Sequence, residues 1–277
     1  MISQKLVPIL RILKLFRMAL WRDFLVLSRY KENFFFEIVS SAAYGFGMLL
    51  FALVFDISSL SKAVGTTNFV AFVVLGFSFQ SWSSIALWGA SNIIQTELST
   101  GQIDYTFSSP FSRYWYLICN IGSLAVRDTL FFIPMLAVGL WFAGSTLTPF
   151  GVILGLLATM LSVATLAQLG AILAALMLRY KQVAGIHNLF YFAFQMLTGT
   201  FIPVQILPLP LQVIGLSLPQ TFGIDMLRYY VMDTKTIIPI EYEWLLLFGQ
   251  LIILASITRL TVLYLERKSK EEGLHYT

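Results

Sequence analysis

The sequence predicts an all-α, polytopic membrane protein. It should have six transmembrane helices, an N-terminal amphipathic helix at the membrane interface, a short cytoplasmic helix between two spans and short outer re-entrant half-helices. Three observations predict this. Of 277 residues, 58% are hydrophobic and 12% charged, with a mean hydropathy of +0.80; soluble domains carry about 25% charged and about 45–50% apolar residues. The apolar residues gather in runs of about 20, each sufficient to cross a bilayer. All but two of the basic residues, Arg127 and Arg259, lie outside those runs, and mostly on one side of them. In water such a chain has too few polar groups to cover its own surface, whereas lipid is a solvent that accepts it.

The first element is amphipathic. Leu6, Leu13, Leu20 and Leu27 recur seven apart and are joined by Ile9, Leu10, Phe16 and Phe24. At 100° per residue they form one broad stripe, with Arg11, Arg22 and Arg29 opposite. The segment 1–33 is too charged to span and too apolar on one face to leave the membrane. It is expected to lie along the cytoplasmic leaflet with its arginines toward lipid phosphate. Its early basic residues, beginning at Lys5 and Arg11, interrupt any apolar core of a cleavable signal.

The region 34–277 is read as the transmembrane domain, with spans at about 35–55, 69–94, 115–142, 150–178, 183–202 and 244–265. A charge at the centre of a span costs about 2.5–3.5 kcal/mol on insertion scales. Glu37, Arg127, Asp128 and Arg259 stand near span ends or about a turn inside. Arg127 and Asp128 are the least comfortable, and a paired structural charge is the expected arrangement. Small residues in span four (Gly151, Gly155, Ala158, Ala164, Ala167, Gly170, Ala171, Ala174, Ala175) predict close helix packing.

Orientation follows from Lys and Arg. Of eighteen, thirteen fall on one side: seven from Lys5 to Lys31, then Arg113, Arg179, Lys181, Arg267, Lys268 and Lys270. Lys62, Arg228 and Lys235 fall on the other. The bias predicts cytoplasmic N- and C-termini.

The loop at 95–114 turns abruptly polar. Thr96 is expected to cap a short helix, Gly101 to supply a left-handed stop, and Ser109–Pro110 a turn before span three. Glu97 and Asp104 would then be presented to a partner, although an ordinary solvated loop has the same physics. The segment 203–236 holds Pro203, Pro208, Pro210 and Pro219 among apolar residues. It is too broken to span, and broken helices in lipid must be covered by protein or line a cavity. Half-helices at about 209–218 and 221–232 are predicted, with Asp225 and Arg228 on one face forming an ion pair.

Several function classes drop out. Cys119 is the single cysteine and His187 and His275 lie far apart, so no disulfide, metal site or catalytic set is expected. The basic balance belongs to topology, so nucleic acid is not an expected partner. No span carries a central acidic residue and the halves share no matching broken helices, which weighs against an ion-coupled secondary transporter.

Glu97, Gly101, Ser109, Pro110, Ser112, Arg113 and Tyr116 resemble the loop of the type 2 ABC exporter permease family. The stretch 197–230, with a Thr-Gly turn, a proline pair, then Leu-Pro, Ile-Asp and Leu-Arg, is similar to that family's signature after span five. The resemblance covers the whole chain. It implies a permease that pairs with a second, identical or related subunit and docks two separate ABC ATPase subunits. The loop, with Glu97, Gly101, Asp104, Ser109, Pro110 and Arg113, would couple to the ATPase, and the N-terminal helix would touch the same partner. Pro203, Pro208, Asp225 and Arg228 would belong to an outer lid, either a passive cap or a moving gate. Spans two and five would face the substrate path, with Gln80, Trp88, Asn92, Tyr191 and Gln195 as its lining, although interhelical packing accounts for any one of them alone.

No G-x-x-x-x-G-K-S/T occurs in the chain, so ATP and Mg would be bound by the partner and no cofactor by this chain. The expected role is export of a drug-like, lipid-like or peptide amphipath across the cell's inner membrane. A polysaccharide or teichoic-acid exporter is the alternative within transport.

Overall fold

A computed structural model describes residues 2–54, 64–65, 68–108, 111–144, 148–177 and 193–272. Helices dominate, and no strand occurs among the described residues. In chain order they are α1 (Ile2–Arg29), α2 (Lys31–Val54), α3 (Phe69–Thr100), α4 (Ile103–Ser108), α5 (Arg113–Ala143), α6 (Pro149–Met177), α7 (Leu209–Ser217), α8 (Pro219–Met232) and α9 (Ile240–Glu272). Among the described residues, α3, α5, α6 and α9 contain segments long and apolar enough to cross a membrane. They coincide with predicted spans two, three, four and six. Helix α2 covers span one, whereas most of span five lies outside the described residues, with 193–197 helical at its end.

The bundle is organised around α3, which packs most extensively on α5 and α6; α9 covers the far side of α6. Buried aromatic and aliphatic side chains of α3 fill the centre, among them Leu75, Phe79 and Trp82. Trp82 stacks on Phe132 of α5 with ring centroids 3.9 Å apart. The small residues of α6 permit this closeness. Gly155, Gly170, Ala158, Ala167, Ala171, Ala174 and Ala175 are buried, as close packing requires; Ala164 is the exception and faces outward. The helices are fastened by polar bonds as well. Thr258 of α9 donates to the Gln168 carbonyl (3.1 Å), and Tyr114 of α5 donates to the Gln168 side chain (3.2 Å).

Local signals set the ends. Asn68 accepts from the Ala71 N–H (3.1 Å) and so caps α3, and the Thr148 hydroxyl accepts from the Gly151 N–H (3.1 Å) at the start of α6. Thr96 does not cap a helix as expected. The apolar run of α3 continues through it, and its hydroxyl bonds back to the Asn92 carbonyl (2.8 Å). The stop comes at Gly101, in the left-handed region at φ 69°, as its sequence position predicts.

Helix α1 departs from the predicted arrangement in one respect. Leu10, Leu13 and Phe24 are exposed and available to lipid. A neighbouring line instead packs on α5: Phe16 lies against Gly122, Ala19 and Asp23 are buried, and the Cys119 thiol approaches the Ile12 carbonyl (3.8 Å). Arg22 consequently does not point to lipid phosphate. It binds Asp23 (2.9 Å) and the Asn120 side-chain oxygen (2.8 Å), because Asp23 and Asn120 offer acceptors in a partly dry contact.

Candidate functional site

Two surfaces are candidates for function, and both involve α3. The first is the connection between α3 and α5. Glu97, in the last turn of α3, is 7% exposed. Its carboxylate accepts a hydrogen bond from the Tyr116 hydroxyl of α5. This corrects the expectation that Glu97 is presented to a partner; it is consumed inside the connection, where a buried carboxylate needs a donor. Ile103 at the start of α4 is fully buried and belongs to the main core cluster. Arg113 opens α5, is buried, and donates to the Phe111 carbonyl (3.5 Å).

What the connection presents outward is Ser99, Thr100, Gly101, Gln102 and Tyr105, the last 83% exposed. Tyr105 was not singled out by sequence reasoning, though its place two residues after a buried Ile103 on a short helix could have indicated it. Asp104 lies in α4, its side chain outside the described residues, and Ser109 and Pro110 also fall outside them.

The second surface is a groove along α3. A cavity of about 860 Å³ opens between α2, α3 and α5, with Glu37, Tyr44, Phe77, Gln80, Arg127 and Asp128 on its walls. It shares Ser84, Ile85 and Arg127 with a second cavity of about 300 Å³ that runs past Trp88 and Asn92 to Thr96. Gln80 thus lines one cavity, and Trp88 and Asn92 line the cavity that adjoins it. Tyr191 lies outside the described residues.

Gln195 goes elsewhere. Its Oε1 accepts from the Thr200 hydroxyl (2.8 Å) and from the Gln220 side-chain amide (3.2 Å), and Gln220 also donates to Thr200 (3.0 Å). All three are buried, Gln220 in the first turn of α8.

Arg127 and Asp128 do not pair with each other. Asp128 accepts from the Ser81 hydroxyl of α3, and Arg127 forms no ion pair among the described residues, its Nε lacking a hydrogen-bond partner. The Ser81 hydroxyl, on the facing helix, takes the carboxylate instead. Arg127 and Asp128 nonetheless face the same cavity.

At the opposite end, the two half-helices appear as α7 and α8. Helix α7 is largely exposed, with Pro208 and Leu209 outward. Helix α8 is sunk into the bundle against α6 and α3, and the Ser162 hydroxyl of α6 donates to the Pro219 carbonyl (2.8 Å). Pro203 is buried ahead of the short turn Val204–Ile206. Gly76 of α3 makes room for the approach, since a Cβ there would overlap Arg228 and the Thr200 carbonyl.

The predicted Asp225–Arg228 ion pair is not formed. Arg228 is buried and donates to the carbonyls of Phe72 (3.1 and 2.9 Å), Gly199 (2.7 Å) and Thr200 (2.8 Å). Asp225 instead accepts from the Ile237 N–H (2.8 Å). Asp225 is already engaged by the Ile237 N–H and the Glu243 side chain, while the broken chain around 199–200 leaves carbonyls that need a donor, and the guanidinium supplies it.

No curated protein matches the sequence. Residues 14–232 match the family model of the ABC-2 type transporter, a region that runs from the middle of α1 to the end of α8 and thus holds both the α3–α5 connection and the groove. With apolar helices of spanning length and that match over most of its residues, the chain belongs to the ABC-2 type transporter family: it is a membrane-embedded ABC transporter permease, the non-catalytic part of a transporter whose family works with ABC ATPase partners.

Proposed function

We propose that the chain is the permease of an ATP-driven exporter for amphipathic substrates in the inner membrane. It has six spans and cytoplasmic termini, and it pairs with a second copy or a related permease. Two separate ATPase subunits hold the ATP and Mg. They grip the α3–α5 connection, and their closure on ATP tilts α3 and α5 so that the groove changes its side of access. Gln80, Trp88 and Asn92 contribute to the substrate path with Tyr191, the buried Gln195 braces the segment beside the lid, and α7 and α8 form the outer lid with Pro203, Pro208, Asp225 and Arg228.

The observation that carries this reading is the bracing of the connection. A membrane chain receives work only through a contact rigid enough to pass on force. Here an outward Tyr105 stands on a helix whose other face is locked by Ile103, while Glu97 and Tyr116 tie α3 to α5. Asp104, Ser109, Pro110 and Arg113 complete the coupling element. An export direction is supported by the groove's charged end, which lies toward the side where thirteen basic residues predict the cytoplasm.

The test is co-expression with a partner ATPase in proteoliposomes. Tyr105→Ala and Gly101→Pro should reduce substrate-stimulated ATP turnover while membrane insertion is unchanged. Full stimulation in both variants would remove the connection from the coupling path.

A further inference from the structure

The larger cavity has a polarity that its role as a path does not require. We propose that it is a lateral binding site for amphipathic cations, taking a molecule with an amine or quaternary ammonium head and an aromatic or aliphatic body from the cytoplasmic leaflet. This deepens the export reading by naming the class of cargo, and rests on it for orientation.

The walls are graded. On α2, Glu37 and Tyr44 both face the cavity, seven residues apart, or about 10 Å at 1.5 Å per residue. Arg127 and Asp128 of α5 and Ser84 of α3 stand toward the Glu37 end. Phe77 of α3 stands toward the Tyr44 end, where the Tyr44 and Phe77 rings lie 5.0 Å apart, whereas Phe131 of α5 meets Phe34 of α2 (6.0 Å) at the Glu37 end. One end thus combines charges with rings and the other is aromatic alone, over the length of a small amphipath.

The depth is fixed by α1. Its Arg22 binds Asn120, and its Asp23 accepts from the Ser123 hydroxyl of α5, so the surface helix crosses α5 about one turn before Arg127. The ionic end therefore lies just inside the leaflet boundary, at the level of lipid head groups, with the aromatic end deeper.

The charge balance selects the sign. Two carboxylates, Glu37 and Asp128, line the cavity with one guanidinium, Arg127, and Asp128 lies within electrostatic range of both the others. Asp128 is engaged by Ser81. Glu37 has no ion-pair partner among the described residues. A carboxylate in a partly desolvated wall attracts a cation more strongly than in water, and the rings beside it add cation–π attraction. Uncharged amphipaths gain only the aromatic half.

The site is tested on the purified permease in lipid nanodiscs without an ATPase. The probe is a fluorescent hydrophobic quaternary ammonium, compared with its uncharged isostere. Glu37→Gln should weaken cation binding about tenfold and leave the neutral isostere unchanged; Arg127→Gln should tighten the cation. Opposite effects from the two variants cannot come from misfolding. The proposal is overturned if both variants bind the cation as the wild type does, if the isostere binds equally well, or if added zwitterionic phospholipid displaces the cation at equal concentration. If the cation binds as expected but proteoliposomes with the ATPase do not export it, the site stands and the export reading fails. If another cargo is exported and the cation does not bind, the reverse holds.

Discussion

The guanidinium of Arg228 lies 3.4 Å from the centre of the Phe72 ring and donates two hydrogen bonds to the carbonyl oxygen of the same residue. With its bonds to Gly199 and Thr200, it gathers three chain segments at one point: the start of α3, the turn after 193–197, and α8. A single cation thus satisfies carbonyls that a broken helix would otherwise leave bare in an apolar setting. The lid is anchored by backbone bonding.

Removing that side chain should be severe. Arg228→Ala leaves three buried carbonyls short of a donor and opens a cavity beside Phe72, a loss of about 3–5 kcal/mol. Arg228→Lys keeps the charge but lacks the planar fork and should lose roughly half as much. Thermal unfolding in detergent reads both, and a wild-type midpoint for Arg228→Ala would refute the anchoring role.

The bond between Glu97 and Tyr116 makes a second prediction. Because each side chain is the other's partner, Glu97→Ala and Tyr116→Phe should not add. The double variant should be little worse than the more damaging single change, with an interaction of about 1–3 kcal/mol in a stability cycle. Strict additivity would mean that the two residues act separately on the connection.

Helix packing offers a cleaner steric contrast. A Cβ at Gly170 of α6 would overlap the Ala86 carbonyl of α3, whereas one at Gly249 of α9 would meet open space. Gly170→Ala should therefore cost about 1–3 kcal/mol or more by forcing α3 and α6 apart. Gly249→Ala should be neutral or stabilise by up to about 1 kcal/mol through helix propensity. Melting temperatures of the two variants in the same detergent decide the matter, and equal behaviour would contradict the packing.

The contrast between these residues also shows what a sequence can convey. Helix positions were legible because length and apolarity are one-dimensional properties: the predicted half-helices at 209–218 and 221–232 differ from Leu209–Ser217 and Pro219–Met232 by a residue or two. Gly101 was legible as a stop because a left-handed residue is a local requirement. Partnerships were not legible in the same way. Spacing put Asp225 and Arg228 on one face, yet both found backbone partners far away in sequence. The Glu97 carboxylate turned inward because a tyrosine nineteen residues on reached it. Gln80, Trp88 and Asn92 came together because they share one helix face, while Gln195 was drawn off by Thr200 and Gln220.

The last prediction concerns how α1 is held. Asp23 is buried and accepts from the Ser123 hydroxyl on α5 and from Arg22, whose guanidinium also reaches Asn120. A surface helix bound to lipid alone would exchange its amides whenever it lifted, whereas this one is tied to a span by a charged, partly dry network. Asp23→Ala leaves the Ser123 hydroxyl without its acceptor and Arg22 without its counter-charge, at a local loss of about 1–3 kcal/mol. Amide exchange in α1 should then rise by roughly 5- to 150-fold, with α5 beyond Arg127 unchanged. Ser123→Ala should produce a smaller rise, and Arg17→Ala, at an exposed position, none. Unchanged α1 exchange in Asp23→Ala would show that lipid alone, and not the network, holds the helix to the bundle.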